Sequence, residues 1–306
     1  MCRRMWCLPA FALAVLLVAN ESHAQLKGWW KLDSNPPLID EVGQHDATLI
    51  GEAFLVPGVS GMALQNVPVD LGPEGFLAAT GAEVPGSQTS LAVGLGDQTI
   101  SAWVKYSGEQ PTGVGTPGTP GFIPLGAIAG QGYIGGAPGM GIFVVGATQN
   151  SGVPEQVDHI QVQINAFGVG QIKASTLNSI NDGQWHHVVG VFERQQADGL
   201  RLYIDGALQS ITASTIGVTG NIRDPGSHFA MATSSCCGAG YAWPLNGAVD
   251  EVQVYGHALT QEDITFLYNN PGSAIPEPAA IVLFGLGGVA LLFGKRPLRR
   301  DLPQSA

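Results

Sequence analysis

Acid catalysis at a glycosidic bond needs two carboxylates on the same side of a site, one to donate a proton and one to attack or to activate water. On a β-strand that means a spacing of two, because alternate side chains share a face. Glu155 and Asp158 are three apart and Asp250 and Glu251 are adjacent, so each pair diverges and hydrolysis is disfavoured. The same rule governs His186 and His187: as consecutive strand residues they face opposite sides and cannot grip one metal ion without a bulge. Core packing and hydrogen bonding is their expected role, with a lyase pairing one of them with Tyr203 as the chemical alternative. Cys236 and Cys237 are also adjacent. Neighbouring Cα atoms are about 3.8 Å apart, against about 5.5 Å in ordinary bridges, so a disulfide here closes only as a strained ring. A rigid Cys-Cys loop, bridged or as free thiols, is expected; zinc normally needs four ligands and no His pair stands nearby.

Asp250 shares parity with Val252 and Val254, which places it on the apolar face of its strand. A buried carboxylate must find a partner. Calcium is one candidate, since it takes six to eight oxygens, and backbone N–H groups or a side chain are the other. Candidate ligand-binding residues are aromatic and amide. Trp29 and Trp30 point oppositely, so if Trp30 packs inward then Trp29 faces out; Trp103, Tyr203, Tyr241 and Trp243 are further rings that could serve as sugar platforms. Gln161, Gln163 and Asn165 line one strand face and supply donors and acceptors. Trp29, Trp243, Tyr241, Gln161 and Gln163 form the working set.

The elements that must position these residues read as strands. Ile100, Ala102 and Val104 alternate with Ser101, Trp103 and Lys105, as Leu200, Leu202 and Ile204 do with Arg201, Tyr203 and Asp205. Asp205-Gly206 suits a type I′ turn reversing toward Ala207 to Thr212. Further strands are expected at 28–32, 47–50, 141–145, 159–165, 185–192, 229–233 and 248–255. Thr260 caps a single short helix over 260–269, with Glu262 and Asp263 in its first turn. Many strands and one helix predict an all-β, two-sheet antiparallel sandwich. The segment 107–139, rich in Gly and Pro, reads as an inserted loop. Charged residues are only 12% of the chain, with 43 glycines and 20 prolines, which excludes bundles and coiled coils. Between Gln25 and Ala274, 7 Lys and Arg face 21 Asp and Glu, so sequence-independent nucleic-acid binding is excluded.

The two ends are addresses. Arg3 and Arg4, the apolar run Leu8 to Ala19 and Ser22-His23-Ala24 have the order of a secretory signal peptide, with cleavage after Ala24. At the far end Pro276-Glu277-Pro278 precedes an uncharged stretch, expected as a short transmembrane helix over 279–294, and then a basic tail, 295–306, with Lys295, Arg296, Arg299 and Arg300. This arrangement resembles the PEP-CTERM sorting signal of exported proteins in Gram-negative bacteria. The resemblance implies that 273–300 is a sorting segment and that an exosortase-type enzyme is a partner. It further implies that the body is held briefly at the inner membrane through its C-terminal helix.

The body, 25–272, also resembles a known family. Trp30-Lys31-Leu32-Asp33, His45-Asp46-Ala47-Thr48-Leu49 and Gly61-Met62-Ala63-Leu64 are similar to the opening of a LamG-like jelly roll of the concanavalin A-like lectin/glucanase superfamily. Thr99 to Val104 resembles its first long core strand, Asp182 to Val188 with Leu202 to Gly206 its central hairpin, and Asn246 to Tyr255 with Ala258 to Thr260 its closing strand and final turn. Hydrolases of that superfamily carry Glu-x-Asp-x-x-Glu on one strand, which this chain lacks. The resemblance implies, for some relatives, a structural calcium beside the closing strand, here Asp250 with a carbonyl near Gly43. Taken together, the expectation is an exported cell-envelope or extracellular-matrix protein that is not an enzyme and binds polysaccharide or envelope proteins without turnover. A purely structural adhesion protein and a carbohydrate-active enzyme of unfamiliar motif are the alternatives.

Overall fold

In the computed structural model, Gln25–Ala274 forms one compact unit. Described are residues 26–276, apart from 68–79, 89, 92–93, 109, 111–124, 133–137, 146–157, 167, 211, 223–224 and 237–239. Two antiparallel sheets face one another. The first runs β13 (Ala207–Leu208), β12 (Leu200–Ile204), β11 (Trp185–Phe192), β6 (Gln98–Lys105), β17 (Gly247–Tyr255), β4 (Met62–Asn66), β3 (Phe54–Pro57), with β1 (Leu26–Trp30) also pairing β17. The second runs β10 (Gly170–Ser175), β9 (His159–Ala166), β8 (Gly139–Val145), β7 (Leu125–Gln131), β14 (Phe229–Met231), β5 (Gly81–Val84), β2 (Thr48–Ile50). A hairpin of β15 (Ser234–Cys236) and β16 (Gly240–Ala242) follows β14. The single helix described is α1 (Gln261–Asn269).

Alternation produces the core as the sequence predicts. Ile100, Ala102 and Val104 of β6 and Val188 and Phe192 of β11 meet Ile142, Val144, Val162 and Ile164 of the opposite sheet. Trp30 is fully buried and stacks on Phe229 at 5.4 Å, tying β1 to the second sheet, a contact worth about 0.5–1.5 kcal/mol beyond its area. At Gly190 a Cβ would stand 2.6 Å from Val162 Cγ2, so only glycine lets the sheets approach this closely. Asp205 and Gly206 both have positive φ, 51° and 77°, which gives the I′ turn between β12 and β13. Thr260 closes a capping box with Asp263 at the start of α1.

Two expectations are corrected. The segment 107–139 is not simply an inserted loop: β7 lies inside it at the centre of the second sheet, and β8 begins at its last residue. Gly126 and Gly130 disguise β7 because its small residues, Leu125-Gly-Ala-Ile-Ala-Gly-Gln131, give weak alternation. The strand expected over 207–212 is only Ala207–Leu208, an edge strand. Among the described residues no helix is long and apolar enough to cross a membrane; 279–294 lies outside them.

Candidate functional site

In-register partners of an antiparallel pair share a face. One row therefore crosses the whole second sheet: Thr48, Glu83, Ala230, Gly130, Gly141, Gln163, Lys173. Their strand neighbours Ala82, Ala129, Ile142 and Val162 are in the core, so the row faces away from it. The middle of the row is nearly bare of side chain, Ala230, Gly130 and Gly141 on adjacent strands about 4.8 Å apart. The row is not open: Ala230 and Gln163 are fully buried and Phe143 lies over Gly141, and the two ends of this covered trough differ in chemistry. At one end His228 Nδ1 lies 3.2 Å from Glu83 Oε2 and His228 Nε2 lies 2.6 Å from Gln88 Nε2. At the other, Gln163 Nε2 donates to Gln161 Oε1, and Gln161 Nε2 donates to Ser175 Oγ at 3.1 Å. Gln163 is fully buried and its Oε1 has no hydrogen-bond partner. Lys173 beside it is half-buried, which lowers its pKa. A wall of the trough is apolar: Phe143 folds over Gly141, where a Cβ would stand 2.7 Å from its Cζ, and meets Trp243 edge-on at 6.0 Å. Leu125, Ala127 and Val145 complete that cluster.

Of the working set, the structure brings together Gln161, Gln163 and Trp243. Two corrections attach to them. The amides point away from the core as expected, yet they are buried, with exposures of 6% and 0%. Trp243 is packed against Phe143 instead of displayed, as Trp103 and Tyr203 are also buried. Tyr241 pairs with Ser235 in the hairpin, and its side chain lies outside the described residues. Trp29 stands apart, on the first sheet. It faces out as expected, donates from Nε1 to Glu251 Oε2 at 2.7 Å and carries Lys31 Nζ over its ring at 4.5 Å. Cys236 ends β15, but Cys237 lies outside the described residues, as do Glu277, Pro278 and Ala24; Pro276 is the last residue described.

Asp250 corrects the parity argument. β17 carries a bulge at Glu251, whose φ is 49°, so Asp250 pairs with Trp103 and Gln253 with Ser101. Asp250 therefore shares the outer face with Gln253, not the core face with Val252. It is buried because the 58–60 turn covers it: Oδ2 accepts from Val59 N at 2.8 Å and Ser60 N at 3.1 Å, and Oδ1 accepts from Glu251 N at 2.8 Å. A Cβ on Gly58 would stand 2.3 Å from Oδ2. These donors do not fit calcium, because N–H groups occupy the oxygens a cation would need. Gly43 sits elsewhere, in a turn whose N–H groups converge on buried Asp40, and among the described residues no three His, Cys, Asp or Glu side chains gather as a metal site. Burial pushes Asp250 up to about 8 and Glu251 up to about 7, desolvation leading in both.

The adjacent histidines separate as expected. His187 lies on the outer face of β11 between Trp103 and Tyr268, with ring centroids 5.2 and 6.2 Å away; Nε2 is 2.9 Å from Ser101 Oγ, and burial drives its pKa down to about 3, leaving it neutral. His186 lies between Asp205 Oδ2 at 2.8 Å and Asp182 Oδ1 at 3.2 Å. Burial alone would lower its pKa, but the hydrogen bonds to Asp205 and Asp182 outweigh it and raise it.

A two-sheet antiparallel all-β sandwich is an architecture that binding domains and enzymes share. Residues 79–265 match the family model described as the concanavalin A-like lectin/glucanases superfamily, and the chain belongs to that superfamily. No curated protein matches the chain. Domain 4 of AbnA, a GH43 extracellular arabinanase from Geobacillus stearothermophilus solved in complex with arabinotriose, aligns at a TM-score of 0.51 and 18% identity over 81% of this chain and 100% of that one. The binding domain of botulinum neurotoxin serotype G aligns at 0.53 and 9% identity over 80% of this chain and 50% of that one. The sialidase of Trypanosoma rangeli aligns at 0.50 and 19% identity over 79% of this chain and 32% of that one. The chain thus spans all of the arabinanase domain but half or less of the other two. At these identities the likeness is one of fold, which binding domains and enzymes share.

Proposed function

We propose that this protein is exported to the cell envelope or extracellular matrix and binds polysaccharide there without turning it over. The observation that supports the reading is the outer row of the second sheet, where Gln163 has a carboxamide oxygen without a partner beside the small residues Gly130 and Gly141 and the Phe143–Trp243 pair; Gln163 is fully buried, so a glycan reaches it only by displacing what covers the row. Sugar hydroxyls are donors and acceptors, so amides match them, and apolar pyranose faces match the wall. Glu83 is the one carboxylate in the row, and among the described residues no second acid shares that row as a hydrolytic pair requires. That the arabinanase domain was solved with arabinotriose supports a glycan as the ligand. A glycan array probed with the purified full chain tests this. Binding to one or more neutral glycans, lost in Gln163→Leu without loss of thermal stability, is expected. Absence of any bound glycan favours a structural adhesion role, and turnover of a bound one overturns the non-catalytic reading.

Delivery is the second part of the proposal. The signal-peptide order before Gln25 and the Pro276-Glu277-Pro278 sequence with its apolar and basic sequel support export, transient anchoring at the inner membrane of a Gram-negative bacterium, and release by an exosortase-type enzyme. Mass spectrometry of the mature protein should find Gln25 at the N-terminus and no Lys295–Ala306 tail; an intact tail contradicts processing.

A further inference from the structure

A second cleft lies on the opposite side of the sandwich, between the outer face of the first sheet and the turn that follows α1. Ser101, Trp103, His187, Glu251 and Gln253 form one wall, and Asn270 to Ser273 the other. Its empty volume is ≈180 Å³ including the open mouth, and its floor admits a group about the size of one water molecule. Two polar atoms there are buried without a hydrogen-bond partner: Glu251 Oε1 and His187 Nδ1, on residues only 3% and 1% exposed. We propose that this cleft binds a primary ammonium group, with Glu251 as its counter-ion and His187 Nδ1 as a second acceptor.

The argument rests on what each orphan atom lacks. Glu251 Oε2 already accepts the Trp29 indole N–H, so Oε1 is the oxygen left over; burial holds a proton on this carboxyl up to about 7, and a bound cation would draw it into the ionised, accepting form. When the neutral His187 ring donates from Nε2 to Ser101 Oγ, Nδ1 is an acceptor as well. Two acceptors on one small floor call for a compact group with at least two donors. Burying a carboxylate is costly unless a positive charge offsets it. A water supplies donors but no charge; an –NH3+ group supplies three donors and the charge. Lys31 offsets part of the Glu251 charge from over the Trp29 ring but makes no ion pair with Oε1, which stays without a hydrogen-bond partner. Trp103 lines the same cleft and reports on it, since its ring packs on His187. The strained φ of 49° at Glu251 is the backbone cost of placing this carboxylate here; a non-glycine residue is held there only where the surroundings enforce it. The site is separate from the trough, so either can fail without the other.

The test titrates the purified full chain with methylammonium, glucosamine and N-acetylglucosamine at neutral pH, following Trp fluorescence and the heat of binding. Methylammonium and glucosamine should saturate a single site, while N-acetylglucosamine, whose nitrogen is an uncharged amide, should bind at least tenfold more weakly. Glu251→Gln should weaken methylammonium binding at least tenfold. Ser101→Ala, which frees the His187 tautomer while keeping Glu251, should weaken it less, and serves as the second variant if Glu251→Gln does not fold. Equal binding of glucosamine and N-acetylglucosamine, undiminished binding to Glu251→Gln, or no response to methylammonium, which would mean an ordered water only, overturns the proposal.

Discussion

The two outer faces of the sandwich are built by the same alternation and end in opposite chemistry. On the first sheet, Ser101, Trp103, His187 and Gln253 are roofed by α1, with Tyr268 stacked on Trp103 at 5.9 Å, and the polar atoms left over are a carboxyl oxygen of Glu251 and Nδ1 of His187 in a tight cleft. On the second, glycines replace the large side chains and the atom left over is a neutral amide oxygen above a bare floor. Large residues under a helix leave a small cleft; small residues on three adjacent strands, Ala230, Gly130 and Gly141, leave a narrow row with Glu83 toward one end and Lys173 at the other.

The comparison breaks most readily at Trp103. Trp103→Ala removes a ring that is 7% exposed and packed against both His187 and Tyr268, so a loss of about 3–5 kcal/mol is expected in urea unfolding, with the fold of the second sheet and its glycan binding retained at low denaturant. If glycan binding fell in parallel at full folding, the two faces would not be independent.

A smaller effect of opposite kind is expected at Gly141. Gly141→Val places a Cβ 2.7 Å from Phe143 Cζ, so the ring must move; overpacking of this sort costs about 1–3 kcal/mol. Here binding should fall more than stability, because the displaced ring is the trough wall, and methylammonium binding on the other face should be unchanged.

The frame of this fold was legible because strong alternation needs no tertiary information: β6, β11, β12 and β17 stand where the apolar period places them, and Thr260 caps α1 as its side chain dictates. β7 was hidden because Gly126, Gly130 and the alanines satisfy a central strand by being small, which periodicity does not register. The site was half legible. Gln161 and Gln163 share a face by parity alone, but the Gly130–Gly141 floor depends on the register between β7 and β8. Asp250 was misplaced by one cause, the bulge at Glu251, since one extra residue inverts every later face assignment on that strand. No residue type marks it, for glycine would be the usual occupant of that φ.

The pH dependence of stability sharpens the contrast between the charged and the neutral face. Asp250 and Glu251 hold protons in the native protein up to about 8 and about 7, whereas the unfolded chain loses them near 4. Between those limits the native state binds more protons, so stability declines as pH rises from about 4 to about 8 and levels off above. His186 acts in the same direction: its raised pKa stabilises the fold below the unfolded value and that contribution is lost as pH passes the folded one, though partial exposure keeps it small. Tm measured across this range should therefore drop by several degrees in the native chain and less in Glu251→Gln, while Gln163→Leu on the neutral face should keep the native slope. A Glu251→Gln profile parallel to the native one would show that the acid at the bulge does not titrate with unfolding.

The smallest effect should come at the rim. Asp182 is exposed and its pKa is lowered chiefly by the Gln184 N–H and then by His186, so Asp182→Asn removes one arm of the His186 clamp and leaves the 2.8 Å contact to Asp205. Exposed pairs of this kind contribute about 0–1 kcal/mol. Asp205→Asn should cost more, because Asp205 Oδ1 also accepts from His187 N at 2.9 Å and so anchors the strand that carries the cleft histidine. Measured by chemical denaturation, the order Asp205→Asn above Asp182→Asn is expected. The reverse order would place the clamp's strength in its exposed arm and detach His186 from the positioning of its neighbour.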